Sequence, residues 1–422
     1  MMTALPFVEL CMQRYSVVVL ILGALATIGP LSIDAYLPAF PAIGRSFAAD
    51  PALVQQTLSA YLFAYALTSL LHGTLSDSFG RRPVILASLG LYTAGSLCAA
   101  LAPSVGILVI GRTIQGLSAG AGMIVGQAIV RDSFDGPLGQ RTMSYITMIF
   151  GVSPALAPIL GGWIAVHLGW RAVFYAMSGI AVVLMLVCLR FQRETLSLAR
   201  RQPFRLRVIA RNYVSVVRNW QFMLLSVSFG FAFGGFAFFI GTAPNFIIDI
   251  LHLPETAFAW LFVPLVVGMM GGSWVATRLS RTRSPHTVIA IGFGVMGVSC
   301  GLNVLYNLLQ TPALPWAVVP VMIFTFGLAL AAPSMTMRIL DLVPELSGMG
   351  ASVLSFVQMI LFSIVTGALV PLTFGSGLKM AIGVSGGLLV SSLGWYGFRL
   401  TGIDTNSVHK VRGSAPSSTE QK

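Results

Sequence analysis

The sequence predicts an all-α membrane protein with twelve transmembrane helices, and three observations lead to this prediction. Of the 422 residues, 56% are apolar and only 9% are charged, whereas soluble domains carry about 25% charged residues. The apolar residues form long uncharged runs, each sufficient for one or two membrane helices of about 20 residues. The basic residues lie between these runs. Continuous apolar runs favour helices over a β-barrel, whose strands alternate in polarity.

Eight uncharged runs predict single helices, and two longer runs predict pairs of helices. The single runs cover residues 15–33, 51–76, 142–170, 172–189, 219–248, 256–277, 346–378 and 380–398. The longer runs cover residues 83–131 and 284–337, and each is interrupted by helix-breaking residues, around Pro103 in the first and from Pro312 to Pro315 in the second. Together they give twelve helices.

The basic residues predict the orientation of the helices. If both termini are cytoplasmic, 21 Lys and Arg residues lie inside and only Arg45, Arg171 and Lys379 lie outside. Lys and Arg are enriched in the cytoplasmic loops of membrane proteins. This topology explains the net charge of +12, so we expect no nucleic-acid partner. The four cysteines lack the spacing of metal ligands, and we expect no metal site.

A basic loop divides the chain into two parts. Residues 191–218 follow the sixth predicted helix and are rich in arginine. We therefore expect an N-terminal six-helix bundle over residues 1–190, a C-terminal six-helix bundle over residues 219–400 and a cytoplasmic tail over residues 401–422. Two such bundles are typical of transporters whose substrate site lies between the halves at mid-membrane depth.

Asp34 and Arg112 are the two formally charged residues inside the predicted helices. A charge near the centre of a bilayer costs about 2.5–3.5 kcal/mol, so such groups usually face a partner or an aqueous cavity. Both residues lie near the predicted outer ends of their helices, where they can meet across one cavity. Burial favours the protonated acid, and a nearby arginine favours the carboxylate. We expect Asp34 to carry a proton and Arg112 to tune it. The alternatives are a helix cap for Asp34 and a structural tether for Arg112.

Four segments resemble signatures of the major facilitator superfamily. Residues 73–82 resemble its loop motif G-x-L-x-D-x-x-G-R-R/K, and residues 112–116 resemble its fourth-helix motif R-x-x-Q-G. Residues 153–162 are similar to the antiporter motif G-x-x-x-G-P-x-x-G-G, although two of its glycines are replaced. Residues 30–38 resemble the first helix of the bicyclomycin and chloramphenicol exporters, the Bcr/CflA branch. The resemblance implies the major facilitator fold.

The resemblance also implies roles for two groups of residues. Asp77 is expected to engage the start of helix eleven, and Arg81 to bind Asp132, which together form a latch that favours the outward-open state. The expected latch residues are Gly73, Asp77, Gly80, Arg81 and Asp132. The expected antiporter helix contains Pro154, Pro158, Gly161 and Gly162. The alternatives are that the arginines only anchor the topology and that the glycines only allow helix packing.

The resemblance implies a proton-driven antiporter of the bacterial inner membrane that exports hydrophobic drugs, of the chloramphenicol or bicyclomycin type. The proton gradient then replaces a cofactor, and the partners are the drug, protons and membrane lipid; we expect a monomer. Aromatic side chains are expected to bind the drug: Tyr36, Tyr61, Tyr65, Phe150, Phe236 and Phe239. The alternative is an exporter or importer of a small metabolite on the same fold. No nucleophile–base or metal constellation is visible in the helices, so we do not expect an enzyme.

Overall fold

The structure is a computed structural model that describes the backbone of residues 5–400 and the side chains of residues 15–400. The predicted tail over residues 401–422 lies outside the described residues. Over residues 5–400 the regular elements are all helical, with no β-strand. Eleven helices are long and apolar enough to cross a membrane, and a bent pair of shorter helices provides a twelfth. These findings confirm the prediction of an all-α membrane protein.

The twelve membrane helices are labelled α1 to α12. The first six are Leu5–Asp34 (α1), Pro51–Ser69 with His72–Phe79 (α2), Arg81–Ala100 (α3), Val105–Ala119 with Ala121–Ser133 (α4), Gly136–Leu168 (α5) and Trp170–Phe191 (α6). The second six are Trp220–Pro244 (α7), Ala259–Leu279 (α8), Pro285–Leu309 (α9), Val319–Asp341 (α10), Ser347–Ile364 (α11) and Gly377–Leu400 (α12). Leu206–Arg218 forms a further helix, the loop helix, between α6 and α7.

The first membrane helix is longer than the sequence predicts. After Asp34 the chain continues through a 3₁₀ turn at Leu37–Ala39 into a short helix, Phe40–Phe47, and the apolar span covers Tyr15–Phe47. Asp34 is therefore the last residue of α1 but lies 13 residues before the end of this span, further from the outer end than the sequence predicts. The span continues because the residues directly after Asp34 are apolar and buried, so they gain from packing within the bundle.

The packing of the second six helices repeats that of the first six. In the first six, α1 packs on α5, α2 on α4, and α3 on both α4 and α6. In the second six, α7 packs on α11, α8 on α10, and α9 on both α10 and α12. The contacts between the two groups are also related by this repeat, because α2 packs on α11 and α5 packs on α8.

Hydrogen bonds and an ion pair join the two groups at one end of the bundle, which we call the distal end. Ser59 of α2 contacts Ser363 of α11 with their hydroxyl oxygens 3.0 Å apart, and the Ser59 hydroxyl also donates to the Ser363 carbonyl at 2.8 Å. Arg45, after α1, forms an ion pair of 2.8 Å with Glu255, before α8. The groups are therefore closed at the distal end.

At the opposite end a cavity of about 790 Å³ separates the two groups. We call this the basic end, because it carries Arg81, Arg131 and the loop helix. Its walls come from α2, α4, α5, α10, α11 and the loop helix. The structure is thus a conformation that is open at the basic end and closed at the distal end.

The loop helix is fastened to α2 where that helix breaks. The two segments of α2 meet at a bend of 48°, and the Tyr213 hydroxyl donates to the carbonyl of Leu70 at the bend, at 2.6 Å. Burial raises the pKa of Tyr213, so its hydroxyl remains a proton donor at neutral pH. Because the loop helix also packs on α7 and α11, it links the bend in the first group to the second group.

A cysteine pair provides a test of the closed distal end. The hydroxyl oxygens of Ser59 and Ser363 are 3.0 Å apart, so thiols at both positions are close enough for a disulfide. We expect S59C/S363C to cross-link under mild oxidation, and neither single variant to change its mobility on non-reducing gels. Labelling the full protein with a thiol-reactive polyethylene glycol measures the fraction cross-linked. A double variant that takes up the label at both introduced cysteines after oxidation would contradict the closed distal end.

Candidate functional site

Arg112 is fully buried on α4 between two tyrosine rings. Its guanidinium carbon lies 4.6 Å from the ring centre of Tyr36 and 4.3 Å from that of Tyr61. Nη1 donates to Oε1 of Gln115 at 2.8 Å, whereas Nε and Nη2 have no hydrogen-bond partner. Among residues 15–400 no carboxylate forms an ion pair with Arg112. The two π-systems are therefore the main electrostatic compensation for this buried cation.

Hydrogen bonds extend the arginine site across the first four helices. The Tyr36 hydroxyl contacts the Thr57 hydroxyl at 2.6 Å, and the Tyr61 hydroxyl donates to the Gly29 carbonyl at 3.1 Å. Behind Arg112, Gln115 Nε2 donates to Ser96 at 2.7 Å. These bonds fix the rotation of α1, because its contacting residues lie on one face of the helix.

Asp34 lies on the opposite face of α1. Successive helical residues are rotated by about 100°, so Asp34 points about 160° away from both Ser32 and Tyr36. Ser32 hydrogen-bonds Tyr92 of α3, and Tyr36 contacts Arg112, which leaves Asp34 facing away from that cluster. The side chain is 4% exposed. Among residues 15–400 it has neither a hydrogen-bond nor an ion-pair partner.

The structure therefore does not bring Asp34 and Arg112 together. The sequence suggested that they meet across one cavity, because both are isolated charges near the predicted outer ends of their helices. That expectation did not include the direction of the side chains. Tyr36, two residues after Asp34, occupies the space beside Arg112, and residues two apart on a helix face different sides.

The six aromatic residues expected to bind a drug are distributed over three environments. Tyr36 and Tyr61 enclose Arg112, and Tyr65 lines the cavity at the basic end. Phe236 and Phe239 lie in aromatic clusters of the second six helices, where Phe239 packs on Phe324 with ring centres 5.6 Å apart. Phe150 is partly buried on α5 and packs against the core. Of the six, Tyr65 alone lines that cavity.

The expected latch residues meet at the basic end. Arg81 is buried, and its Nε is 3.0 Å from Asp132 Oδ2 on α4, while its Nη1 is 2.5 Å from Asp77 Oδ1. Asp77 lines the cavity, as do Gly73 and the first residues of α11. No hydrogen bond joins Asp77 to α11 within residues 15–400. In this conformation, open at the basic end, the Arg81–Asp132 contact is formed and the contact of Asp77 with α11 is not.

Glu194 is a further residue of this region, and the sequence motifs do not include it. It accepts hydrogen bonds from the backbone N–H groups of Arg81 and Arg82, at 3.0 and 3.1 Å, and these are the first residues of α3. The first N–H groups of a helix lack intrahelical partners and attract negative charge. One signal was available, because Glu194 is the sole acidic residue in the basic loop 191–218.

Gly80 provides the space that Glu194 requires. Its φ of +101° and ψ of 156° lie in a region that residues with a Cβ rarely adopt. A Cβ at this position would lie 2.6 Å from Glu194 Oε2 and 2.7 Å from Arg201 Nη2. Thr195 also donates to Asp132 at 3.3 Å. The basic loop therefore contacts the expected latch residues directly.

The expected antiporter helix, α5, packs directly beside Asp34. A Cβ on Gly161 would overlap the backbone carbonyl of Ala35, the residue after Asp34. A Cβ on Gly162 would lie 2.8 Å from the carbonyl oxygen of Glu255 in the second half. Pro154 and Pro158 are both buried within α5. The glycines thus allow α5 to approach α1 and the loop before α8 at the same level.

Comparison with known proteins identifies the family. A model of the Major Facilitator Superfamily matches residues 21–366. The chain belongs to the Major Facilitator Superfamily. Proteins of this family are transporters, so the protein is a multi-pass membrane transporter. The resemblance that the sequence motifs indicated is confirmed.

Individual relatives are distant but cover most of the chain. The chain is 26% identical over 378 residues to a bicyclomycin resistance protein homolog of Haemophilus influenzae, over 90% of this chain and 95% of that protein. It is 27% identical over 371 residues to multidrug resistance protein D of Escherichia coli, over 82% of this chain and 87% of that protein. A solved peptide transporter, POT, in complex with alafosfalin, aligns with a TM-score of 0.70 and 14% identity over 89% of this chain and 92% of that one. This last likeness concerns the fold alone.

The tyrosine rings around Arg112 lead to a prediction on stability. Tyr61→Phe keeps the ring beside the cation and removes one hydrogen bond, which costs about 1 kcal/mol. Tyr61→Leu also removes the cation–π contact, which contributes about 0.5–2 kcal/mol. We therefore expect Tyr61→Leu to unfold at a lower temperature than Tyr61→Phe in thermal unfolding of the purified protein in detergent. Equal unfolding temperatures would show that the ring does not stabilise Arg112.

Gly80 leads to a second prediction, with Gly169 as its control. Gly169, with φ 85° and ψ 158°, has the same unfavourable backbone conformation but open space around its Cβ position. Alanine at either site should cost about 1–3 kcal/mol of backbone strain, and only Gly80→Ala should also displace Glu194. We expect Gly80→Ala to lower the unfolding temperature further and to increase proteolysis of the basic loop. Identical behaviour of both variants would rule out the Glu194 contact.

Proposed function

We propose that the protein is a proton-coupled antiporter that exports hydrophobic drugs, of the chloramphenicol or bicyclomycin type, by alternating access. The proposal includes a bacterial inner-membrane location with the basic end and both termini in the cytoplasm. It is supported by membership of a transporter family, by the resistance functions after which two relatives are named and by the distribution of basic residues. We propose a monomer that requires no cofactor beyond the proton gradient and interacts with drug, protons and membrane lipid.

The observation that carries the proposed proton coupling is the position of Asp34. It is buried within the first membrane span, and no cation or hydrogen-bond donor among residues 15–400 compensates a negative charge there. A buried carboxyl group without partners is stable in its neutral form, because burying the ion is costly. Asp34 in this conformation therefore holds a proton, and it releases that proton when water or a substrate reaches it.

Arg112 has a different role in this proposal from the direct pairing expected from sequence. Its contact with Tyr36 and the hydrogen bonds around it hold one face of α1 against α2, α3 and α4. Asp34 is thereby kept on the other face. We propose that Arg112 acts on Asp34 by fixing the rotation of α1 and not through an ion pair.

The cavity at the basic end is the proposed entry site for the drug. Its volume of about 790 Å³ is in the range of small-molecule sites. Its walls include Tyr65 and three methionines, Met123, Met143 and Met349, and methionine adapts to ligands of varied shape. On the proposed orientation this cavity opens to the cytoplasm, from which an exporter collects its substrate.

The proton-coupling proposal is tested by Asp34→Asn, with Asp50→Asn as a control for the loss of one carboxylate. In proteoliposomes we expect Asp34→Asn to abolish drug transport driven by an imposed pH gradient, because its side chain cannot release a proton. Drug exchange without a gradient should persist, which shows that the variant is folded. Asp50→Asn should transport normally, since Asn replaces Asp well at a helix N-cap. Full gradient-driven transport by Asp34→Asn would refute the proposal.

The substrate class is tested separately in cells. Expression of the chain in a strain lacking its own drug pumps should raise resistance to hydrophobic antibiotics and lower their accumulation, and a protonophore should abolish both effects. If the expressing cells gain resistance to no compound in a broad panel of antibiotics, the second candidate, an exporter or importer of a small metabolite, is favoured. Reduced accumulation that persists with the protonophore would contradict coupling to protons.

A further inference from the structure

A second cavity, of about 390 Å³, lies at the distal end of the bundle. Its walls come from the short helix Phe40–Phe47, the start of α2, the end of α7 and the segment after α11. It shares no lining residue with the cavity at the basic end. Because α1 and α2 belong to the first six helices and α7 to the second, a ligand in this distal cavity contacts both groups.

The distal cavity has mostly apolar walls. Phe40 and Val54 line it from the first group, and Ile248 and Phe374 line it from the second. A site of this size with apolar and aromatic walls suits a small hydrophobic molecule, and a few polar groups then determine which molecule binds.

The first polar group is Gln55, an unpartnered amide in the wall of the distal cavity. The side chain is 1% exposed, and its Nε2 has no hydrogen-bond partner. Gly241 packs beside the amide, since a Cβ there would lie 3.3 Å from that nitrogen. A buried N–H donor without an acceptor is unfavourable, and an acceptor atom on a ligand removes this cost.

The second polar group is Asp249 at the mouth of the distal cavity. It accepts a hydrogen bond from Asn245 at 2.6 Å, and no cation forms an ion pair with it among residues 15–400. The other charged residue of the lining is Arg45, whose guanidinium is already paired with Glu255 at 2.8 Å. The lining therefore offers one uncompensated negative charge.

The backbone at Asp249 is unusual. Asn245–Ile250 continues α7 as a π-helix. π-Helical turns are rare in proteins, and those that do occur are often found at functional sites. Both Asn245 and Asp249 of this segment line the distal cavity. This local geometry is a second indication that the segment binds something.

We propose that the distal cavity is a second binding site, for small hydrophobic monocations that carry a hydrogen-bond acceptor. The cation lies at Asp249, the acceptor at Gln55 and the apolar part among Phe40, Ile248 and Phe374. On the proposed orientation this site faces the outside of the cell. If the proposed export function holds, a bound cation joins the two groups at their closed end and slows export from outside.

The test uses the full-length protein in nanodiscs and two matched probes. Berberine is a fluorescent planar monocation with ether oxygens, and dihydroberberine is its neutral counterpart. Asp249→Asn should weaken berberine binding about fivefold and leave the binding of dihydroberberine unchanged. Asp50→Asn removes the same charge at the same end, outside the distal cavity, and should bind both probes like the wild type.

Gln55→Leu separates binding from folding. Leucine removes the unpartnered amide, so the variant should be at least as heat-stable as the wild type, yet bind berberine about fivefold more weakly because one hydrogen bond is lost. Unchanged berberine affinity in both Asp249→Asn and Gln55→Leu would overturn the proposal. An equal loss of berberine affinity in Asp50→Asn would also overturn the proposal, since the loss would then come from long-range electrostatics and not from contact with Asp249.

The binding measurement does not depend on transport. Berberine binding is measured at equilibrium, without a gradient, and the Asp34→Asn protein should bind it at the distal cavity like the wild type. A protein that binds berberine through Asp249 but exports no drug would keep the distal site and refute the proposed export function. A protein that exports drugs but whose berberine affinity is unchanged in Asp249→Asn and Gln55→Leu would keep the proposed export function and refute the distal site.

Discussion

Placing a charge in a low-dielectric interior is costly, and this constraint governs how the first helices of the bundle are arranged. Arg112 has no carboxylate partner among residues 15–400, and two tyrosine rings with one glutamine compensate its charge. Such an arrangement is tolerable only if the rings are held in place, and hydrogen bonds from α1 and α2 hold them. The rotation of α1 is fixed as a result, and with it the direction in which Asp34 points.

The same constraint connects the two ends of the molecule. α5 approaches α1 at Ala35, immediately after Asp34, and also touches the loop that contains Glu255. Glu255 forms the ion pair with Arg45 that helps to close the distal end. At the basic end, Glu194 and Arg81 fasten the central loop while the cavity stands open. The helix that packs beside Asp34 therefore also contacts the second half.

The sequence predicted the fold class and the number of helices, because uncharged runs report directly on membrane spans. It also singled out Asp34 and Arg112 as charges inside apolar helices, whereas the pairing of Arg81 with Asp132 was implied by the resemblance to the major facilitator superfamily. It could not predict that Asp34 and Arg112 face apart, since that depends on the rotation of α1 and on where the helix ends. Gln55 and Glu194 were missed because neither residue type is unusual, and only tertiary packing makes one unpartnered and the other a helix cap.

In the proposed mechanism Asp34 holds a proton which substrate binding releases. This release can be measured as the pH change when a transported drug is added to the purified protein in weakly buffered detergent solution with a pH indicator. We expect proton release that saturates with the drug in the wild type and is absent in Asp34→Asn, while both proteins bind the drug. Equal proton release by Asp34→Asn and the wild type would contradict it.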